Sequence, residues 1–374
     1  MNKKKVWFFQ PEVTHYRLPV FDLFDKKFNE KYEISVFGPL DNITTESESN
    51  YDFHRNCEYK KLSFLGESIT YWRGALNRVK KEKPDIVIIV VIPGNLTSWL
   101  LPKLCKKLDI ITIGWTKAHS TSRIPEKLLF ILKKNLYKRY NHFISYGELS
   151  KKELIEHGIL EQKITVANNT IDTSRIINNR DYYIKQASLL REKYNLKNKW
   201  VILYIARMDE EKRHKDILDA WPMIKLLSNN ITLVIAGSGS LASHIRRLCE
   251  TIDQERILFV GQVGNDQDNC WIAASDLNLQ LGAVGLAINQ SMAFGIPTLI
   301  ADELGSDTEI LIHNQTGWRY PKGDINCLVE MIKYIYSNNN VETVRKNSIK
   351  LMENKITIEN MVNNIDSSIS NYVH

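Results

Sequence analysis

Several patterns that would place this chain outside the cell or across a membrane are missing from its sequence. The five cysteines are dispersed, with no Cys-x-x-Cys pair, which excludes the common spacings of zinc sites and disulfide frameworks. The longest apolar run, residues 86–92, is about a third of the length that a membrane span needs. The apolar run near the basic N-terminus, residues 6–9, is too short for a signal peptide. We therefore expect a cytoplasmic protein whose thiols are reduced and mostly buried.

The charge balance is modest, and two kinds of ligand site are missing. Lysine and arginine number 50 against 43 acidic residues, for a net charge of +7. This excess permits attraction to anionic membranes or nucleotides, but we recognise no nucleic-acid-binding module and expect no nucleic-acid partner. No Asp-x-Asp stands directly after a predicted strand, where it would hold a metal ion on a diphosphate, so we expect no metal site.

What the sequence does contain is a regular alternation of apolar runs and helical stretches. This order is typical of parallel sheets covered by helices, so the fold class is α/β. At 374 residues the chain is most simply two domains. The strand-like runs of the first half are KVWFFQ, YEISVFG, DIVIIVV, IITIGW and HFISYG, and those of the second half are WVILYIA, ITLVIAGSG, ILFVGQV, LNLQLG and TLIAD.

We expect two doubly wound, Rossmann-like domains that face each other across a ligand-binding cleft. A polar, turn-rich passage around residues 168–180 interrupts the alternation, and we place the linker near residues 172–190. The predicted domains are residues 1–178 and 179–355. Residues 356–374 are predicted to form a C-terminal helix that returns to the first domain.

The most informative segment is GAVGLAINQSMAFGIP, residues 282–297. It follows a strand-like run, passes through small residues and takes on helical periodicity until Gly295 and Pro297 end it. Unpaired backbone N–H groups at a helix N-terminus bind anions, with help from the helix dipole. We expect such groups at Gly285, Leu286, Ala287 and Ile288 to bind a phosphate-bearing ligand.

Two cations follow the first strand of the second half, in the segment IARMDEEKRHK. Arg207, with its fork of donors, and Lys212, as a point charge, are well placed to contact a diphosphate. The alternative is a solvated, charged loop. The turns at Gly237 and Val263, after the next two strands, present backbone that can contact a nucleotide base or ribose.

A family resemblance rests on several segments of the second half: ARMDEEK, LVIAGSG, FVGQV, GLAINQSMAFGIPTLIA and SDTEILIHNQTGWRYP. Together they resemble the second domain of retaining glycosyltransferases of the GT-B type, in the large glycogen-synthase-like group (glycosyl transferases group 1) and of the bacterial polysaccharide type. HFISYGELSKKELIEHGI and KITVANNTID extend the resemblance back to about residue 140. It implies a nucleotide-diphosphate sugar as the donor, no cofactor, no metal ion and no protein nucleophile.

By this resemblance, Arg207 and Lys212 fall on the pair that binds the donor diphosphate. Relatives often carry two glutamates seven residues apart, one for the donor sugar and one for a ribose hydroxyl, and here their positions are Gly282 and Gln290. Gln290 can still bind the ribose. Gly282 has no side chain. Its backbone amide can still contact the sugar, and we expect so small a residue to leave room for a different hydroxyl pattern or a deoxysugar.

Three residues of the first half are candidates by the same resemblance. His119 falls where relatives place a histidine that faces the donor sugar, although a lone loop histidine is as readily structural. His15 and Arg17, after the first strand, fall beside the acceptor site. The alternative for this loop is that it only caps and covers the following helix.

The segment EKLLFILKKNLYKRYNHF predicts a basic amphipathic helix. Lys127, Lys133, Lys134, Lys138 and Arg139 are interleaved with apolar residues, and no acidic residue lies between 127 and 139. Such a helix can lie on an anionic membrane, which suits peripheral attachment to the inner face of the cell membrane. An ordinary surface helix that packs Leu128, Leu132 and Leu136 on the sheet explains the apolar residues equally well.

The sequence thus predicts a transferase that moves a hexose or deoxyhexose from a nucleotide sugar to a glycan or a lipid-linked oligosaccharide. One alternative is a non-catalytic or weakly active subunit that partners another transferase, which the glycine at 282 favours. Another is a nucleotide-sugar epimerase, which has the same architecture. An epimerase is expected to show paired acidic catalytic residues, and we identify none.

Overall fold

The computed structural model describes residues 3–40, 54–64, 67–117, 124–264, 266–282, 284–302, 308–337 and 340–373. The strands are β1 (Lys4–Phe9), β2 (Tyr32–Phe37), β3 (His54–Arg55), β4 (Tyr59–Phe64), β5 (Glu67–Trp72), β6 (Ile86–Val90), β7 (Ile111–Thr116), β8 (His142–Ser145), β9 (Ile164–Val166), β10 (Trp200–Ile205), β11 (Ile231–Ala236), β12 (Ile257–Gly261), β13 (Leu277–Gln280), β14 (Thr298–Asp302) and β15 (Trp318–Pro321). The helices are α1 (Leu18–Phe28), α2 (Ala75–Glu82), α3 (Leu96–Lys107), α4 (Glu126–Tyr137), α5 (Glu148–Glu156), α6 (Ser174–Asn178), α7 (Arg180–Lys193), α8 (His214–Ile224), α9 (Ala242–Asp253), α10 (Gln267–Ala273), α11 (Ala287–Phe294), α12 (Ile325–Ser337), α13 (Val341–Asn354) and α14 (Ile358–Ser370).

These elements form two units, each built around its own parallel sheet. The first unit is Met1–Asp172 together with Ile358–His374, and the second is Thr173–Thr357. The α/β fold class is confirmed, with two Rossmann-like domains. The second unit is therefore inserted between two segments of the first.

The first sheet is covered on both faces, because its strands carry apolar side chains at consecutive positions. In the described residues its strand order is β3-β2-β1-β6-β7-β8-β9, all parallel. Val6 and Phe8 of β1 belong to one core, and Trp7 and Phe9 belong to the core on the opposite face. Two-sided burial of this kind is what a parallel sheet with helices on both faces requires. The strands β4 and β5 form a separate antiparallel pair.

The helix α14 completes the first unit. Its apolar residues recur every three or four positions and are buried, which gives one face directed at a core: Ile358, Met361, Val362, Ile365 and Ile369. They share a core with Phe21 and Phe24 of α1. The tail after α14 is also held, since the Tyr372 hydroxyl donates a hydrogen bond to the Asn141 carbonyl at 2.9 Å.

The second sheet has the order β12-β11-β10-β13-β14-β15 in the described residues, again all parallel. The chain builds outward from β10 to β12 and then returns to build the other side from β13. The order thus reverses between β10 and β13. In open parallel sheets, ligands bind at the carboxyl ends of the strands at such a reversal.

The segment expected as a linker is mostly helical. Residues 174–178 form α6 and residues 180–193 form α7, both within the second unit. Only Tyr183 and Ala187 of α7 are buried, so the sequence of this helix lacks a strong apolar stripe. Several of its apolar side chains, such as Ile184 and Leu189, are more than half exposed and do not line one buried face, which is why it is not recognised as a helix from the sequence.

Candidate functional site

The sequence-predicted cations and the segment of residues 282–297 meet at the strand-order reversal of the second sheet. Tyr204 of β10 pairs with Leu279 of β13, and both strands end one residue later. Arg207 lies two residues beyond β10, and Gly282 lies two residues beyond β13. The fold therefore brings together, at one edge of one sheet, residues that are 75 positions apart.

Arg207 is largely exposed, with 68% of its side chain accessible. Its guanidinium is paired with the Asp209 carboxylate and lies 3.7 Å from the Glu211 carboxylate. An exposed guanidinium of this kind makes little packing contribution, and its ion pairs are weak in water. It is therefore available to an anionic ligand that competes with these two acids.

Lys212 ends a 3-10 turn, Glu210–Lys212, whose backbone is fixed on several sides. Its N–H donates to the Asp209 carbonyl at 3.0 Å. Its carbonyl accepts a 2.6 Å hydrogen bond from the hydroxyl of Tyr204, which is fully buried on β10. Burial, and then the nearby Asp216 carboxylate, raise the pKa of Tyr204, so this hydroxyl is protonated at neutral pH and acts as a donor.

The residue after the turn, Arg213, adopts a left-handed conformation with φ of 54°. A non-glycine residue in this region is strained and needs support from its surroundings. Arg213 is supported by a bidentate ion pair with Asp216, at 2.7 and 3.0 Å. Gly323 makes space for it, because a Cβ there would lie 2.8 Å from an Arg213 guanidinium nitrogen. The helix α8 begins directly after this residue, at His214.

Gly282 packs directly on the Lys212 turn. A Cβ at this position would lie 2.0 Å from the Glu211 carbonyl oxygen and 2.8 Å from Lys212 backbone atoms. The expectation that this glycine leaves room for a different sugar hydroxyl is therefore wrong, because backbone of the turn already occupies that space. The glycine is needed for the close approach of two loops.

The predicted helix after Gly282 is present as α11, and Gly295 ends it with φ of 72°. Helix geometry leaves the N–H groups of the first turn, around residues 286–288, without intrahelical acceptors. A Cβ at Gly285 would have no neighbour within 4 Å, so the approach to this turn is open at that point. Ile288 is fully buried and can offer a ligand only its backbone.

A buried hydrogen bond fixes α11 against its sheet. The Asn278 side chain on β13 donates to the Ser291 hydroxyl at 2.7 Å, and both residues are buried. The next residue of α11 is also held, because the Ser348 hydroxyl of α13 lies 3.3 Å from the Met292 carbonyl. Buried polar bonds of this kind fix the orientation of a helix more sharply than apolar contacts do.

Gln290 is the fourth residue of α11 and is half-buried. Its Nε2 donates to Asp268 at 3.1 Å and to Asn269 at 3.3 Å, both on α10. Within the described residues, its Oε1 carries no hydrogen bond, so this atom can accept one from a ligand hydroxyl.

The turns at Gly237 and Val263 have clear packing roles. Gly237 has φ of 138°, and a Cβ there would lie 1.9 Å from the Ala206 carbonyl oxygen. Its N–H donates to the Gly261 carbonyl at 2.7 Å, which joins the loops after β11 and β12. Val263 is half-buried against the core that contains Ile288. These contacts hold the loops of the site together.

In the first unit, the structure separates the two candidates that follow β1. His15 is exposed, with its ring 5.3 Å from that of Tyr16. Arg17 is only 6% exposed, donates to the Asn169 side chain at 2.5 Å and lies 5.4 Å from the Trp115 ring centre. This burial favours the structural alternative for Arg17. His119 lies outside the described residues.

The basic segment is helical as predicted, but one of its lysines points inward. Lys133 is buried and forms a 2.7 Å ion pair with Glu153 of α5. Lys133 is among the five cations that favour membrane contact, and its burial removes it from that set. Leu136 is buried as in the surface-helix alternative, whereas Leu128 is 51% exposed, contrary to it.

Two further absences hold for the described ranges. No group of three His, Cys, Asp or Glu residues is arranged there to hold a metal ion. None of the helices in that part of the chain combines the length and the apolar character of a membrane span.

Comparison with known proteins relates both units to glycosyltransferases. Residues 187–356 match the family described as Glycosyl transferases group 1, and residues 27–175 match Glycosyltransferase Family 4. An uncharacterised glycosyltransferase of Methanocaldococcus jannaschii is 21% identical over 91% of this chain and 87% of its own length. The capsular polysaccharide biosynthesis glycosyltransferase CapM of Staphylococcus aureus is 20% identical over 78% of each chain.

Solved structures share the whole fold at low sequence identity. The Anabaena protein HepE in complex with UDP superposes with a TM-score of 0.74 at 15% identity, covering 98% of this chain and all of that one. A Listeria monocytogenes protein provisionally assigned as a UDP-N-acetylglucosamine 2-epimerase has a TM-score of 0.68 at 16% identity, covering 99% of this chain and 97% of that one. The fold is therefore GT-B, and it is shared by transferases and by a protein given another activity.

Proposed function

From the premise that both halves of the chain match glycosyltransferase families on a GT-B fold, we propose that the protein transfers a sugar from a nucleotide-diphosphate sugar to a glycan or lipid-linked oligosaccharide. The observation that carries this proposal is the meeting of Arg207, the fixed Lys212 turn and the N-terminus of α11 at the strand-order reversal. Three sources of positive potential at one sheet edge suit a diphosphate. The UDP bound to HepE and the capsular role named for CapM support the donor class and the pathway class.

In the proposed reaction the donor sugar keeps its anomeric configuration. The bond between the anomeric carbon and the diphosphate oxygen breaks, the acceptor oxygen bonds to the same face, and the acceptor proton passes to the leaving diphosphate. Arg207 and Lys212 stabilise the negative charge that develops on that diphosphate. Gln290 accepts a hydrogen bond from the ribose, and His119 remains the predicted contact to the donor sugar.

We also propose that transfer needs no metal ion, because the two cations and the helix N-terminus supply the positive charge that a metal would otherwise supply. Turnover is then unchanged when EDTA is added. Loss of turnover on chelation, restored by added Mg²⁺, would contradict this part of the proposal.

The central experiment is a screen of nucleotide sugars by thermal shift, followed by transfer assays with isotope-labelled donor. A ligand that binds only the native state raises its melting temperature. We expect Arg207→Ala and Lys212→Ala each to reduce turnover at least 100-fold, with melting temperatures within about 2 °C of the unmodified protein. Lys215→Ala removes an exposed neighbouring cation and serves as the control.

Other outcomes of the same experiment favour the alternatives. Full turnover in both the Arg207 and Lys212 variants would contradict the donor site. Nucleotide binding without turnover on any acceptor favours a non-catalytic subunit, for which the glycine at 282 is the supporting observation. An isomerised nucleotide sugar formed without acceptor favours an epimerase.

We further propose that α4 places the protein on an anionic membrane. Lys127, Ile131, Lys134 and Lys138 recur at helical spacing and so lie on one face. Ile131 and its neighbour Leu128 are 54% and 51% exposed. A face that mixes cations with exposed apolar side chains matches the requirements of interfacial binding. Lys133 is not part of this face, because it is buried.

A further inference from the structure

Among the groups that support the Lys212 turn, one stands out because a single atom can be removed to test it. The Tyr204 hydroxyl is fully buried and donates to the Lys212 carbonyl at 2.6 Å. This bond joins the carboxyl end of strand β10 to the residue proposed to bind the diphosphate. The hydroxyl is held in place by β10, which pairs on both sides with neighbouring strands.

The other supports of the turn act from different directions. Gly282 lets the Glu211 and Lys212 backbone lie close to the end of β13, since a Cβ there would clash with both. Arg213, pinned by Asp216, fixes the direction in which the chain leaves the turn. The Tyr204 hydroxyl adds a contact from the sheet to the Lys212 carbonyl, and its loss removes one of the restraints on the peptide that links Lys212 to Arg213.

We propose that Tyr204 is a positioning residue that sets the place of Lys212 and thereby the affinity of the protein for the diphosphate of its donor. The inference rests on the proposed function, because it assigns to Lys212 a ligand. Tyr204 does not contact that ligand. It acts through one hydrogen bond to the backbone, so the loss of its hydroxyl moves the ammonium group without removing it.

The second domain contains a matched control for this proposal. Tyr320 on β15 is also fully buried and belongs to the same core as Tyr204. Both phenols lie near Asp216, which adds to burial in raising the pKa of each. Within the described residues, however, the Tyr320 hydroxyl has no hydrogen-bond partner. Tyr320→Phe therefore removes the same atom from the same core and breaks no bond.

The test compares Tyr204→Phe and Tyr320→Phe by calorimetric titration with UDP, GDP, ADP, dTDP and inorganic pyrophosphate. One hydrogen bond to the turn corresponds to a change of about 5- to 10-fold in affinity if its loss is expressed fully in binding. We expect this weakening in Tyr204→Phe and unchanged affinity in Tyr320→Phe. Equal affinity of Tyr204→Phe and the unmodified protein would overturn the proposal.

A double-mutant cycle separates positioning from a general loss of structure. If Tyr204 acts through Lys212, then Tyr204→Phe has no further effect on affinity in a Lys212→Ala background. An additive effect in that background would show that Tyr204 supports the site in some other way, and would overturn the proposal. If Lys212→Ala alone leaves affinity unchanged, the diphosphate assignment fails instead.

Hydrogen exchange tests the positioning without any ligand. The Lys212 and Arg213 amides donate to the Asp209 and Glu210 carbonyls at 3.0 and 3.2 Å, so they report on the turn directly. We expect peptides that cover residues 209–213 to exchange faster in Tyr204→Phe and at the unmodified rate in Tyr320→Phe. Unchanged exchange in Tyr204→Phe would overturn the inference, whatever the outcome for the proposed function.

Discussion

Gly282 and Glu211 are in backbone contact, so close that a Cβ on Gly282 would lie 2.0 Å from the Glu211 carbonyl oxygen. The two residues follow different strands, β13 and β10, and their contact joins the two halves of the site. A glutamate at position 282, as the family resemblance leads one to expect, cannot coexist with this placement of the turn. The glycine and the position of Lys212 are therefore parts of one arrangement.

Replacing Gly282 by alanine should move the Lys212 turn and impair nucleotide binding. A methyl group forced against two backbone segments displaces them or strains the core, which typically costs about 1–3 kcal/mol. We expect at least a tenfold loss of nucleoside diphosphate affinity in titration calorimetry. Gly94→Ala, whose Cβ would meet its nearest neighbour at an ordinary 3.4 Å, is the control. Gly282→Glu should lose more nucleoside diphosphate affinity than Gly282→Ala. Normal binding by the glutamate variant would refute the close contact.

Lys133 and Lys138 should behave differently although both lie on or beside α4. The Lys133 ammonium and the Glu153 carboxylate are buried together, so Lys133→Ala leaves a buried charge unpaired. We expect a loss of about 3–5 kcal/mol in the free energy of unfolding, measured in urea. Lys138→Ala, at an exposed position, should change it by less than about 0.5 kcal/mol. Equal stabilities of the two variants would contradict the burial of Lys133.

The membrane proposal predicts two separable contributions to liposome binding. Replacing Leu128 and Ile131 by serine removes the exposed apolar part, and replacing Lys127, Lys134 and Lys138 by glutamate reverses the charged part. We expect each set to reduce flotation with phosphatidylglycerol vesicles at least tenfold, and the unmodified protein to bind neutral phosphatidylcholine weakly. Lys80, Lys81 and Lys83 changed to glutamate provide the same charge change elsewhere in the first unit. If the control loses vesicle binding to the same extent, the binding depends on net charge alone and the assignment to α4 is contradicted.

Acidification should destabilise the first unit through His142. Burial, and then the charge of Lys163, lower the pKa of His142 to about 4. In the unfolded chain the same imidazole has its ordinary pKa of about 6.5, so the unfolded protein binds a proton at His142 more readily than the folded protein does. The contribution of neutral His142 to the free energy of unfolding is therefore complete above pH 6.5. It is lost as the pH falls toward 4, and the loss amounts to about 3 kcal/mol.

A histidine variant isolates this contribution. His142→Gln can keep a hydrogen bond to the Thr165 hydroxyl, which lies 2.8 Å from the imidazole, but does not titrate. We expect urea unfolding between pH 7 and 4.5 to show a smaller loss of stability in the variant. Burial also lowers the pKa of His214, so both proteins should lose some stability on acidification. An identical pH dependence of stability in the variant and the unmodified protein would show that His142 does not contribute to the loss of stability on acidification.

Local signals in the sequence predict much of the second unit. The strand beginning near residue 201, the helix beginning near His214 and the helix ended by Gly295 all have the expected places, because apolar runs and a left-handed glycine are readable from neighbours in the chain. The candidate cations and the helix N-terminus are brought to the same sheet edge, as their order along the chain leads one to expect.

Contacts between distant segments are what the sequence does not reveal. Lys133 and Lys134 are adjacent and chemically identical, but Lys133 lies on the buried face of α4, where Glu153 of another helix pairs with it. From the sequence alone, the glycine at 282 indicates only that a carboxylate is missing. The structure shows that the Glu211 backbone lies against it and leaves no space for a side chain. The role of Tyr204 is partly readable, since a hydroxyl in a buried strand needs a partner, but the partner is eight residues away and outside the strand.

The division of the first unit into segments on either side of the second imposes an order on their folding during synthesis. Residues 173–357 emerge from the ribosome as a complete unit and can bury their cores while the chain is still being made. The apolar side chains of Phe21 and Phe24, whose core includes Ile365 and Ile369 of α14, cannot complete that core until α14 has been translated. Of the two units, the one that begins first along the chain is therefore the later to finish folding, and the interval exposes an apolar surface that a nascent-chain chaperone can recognise.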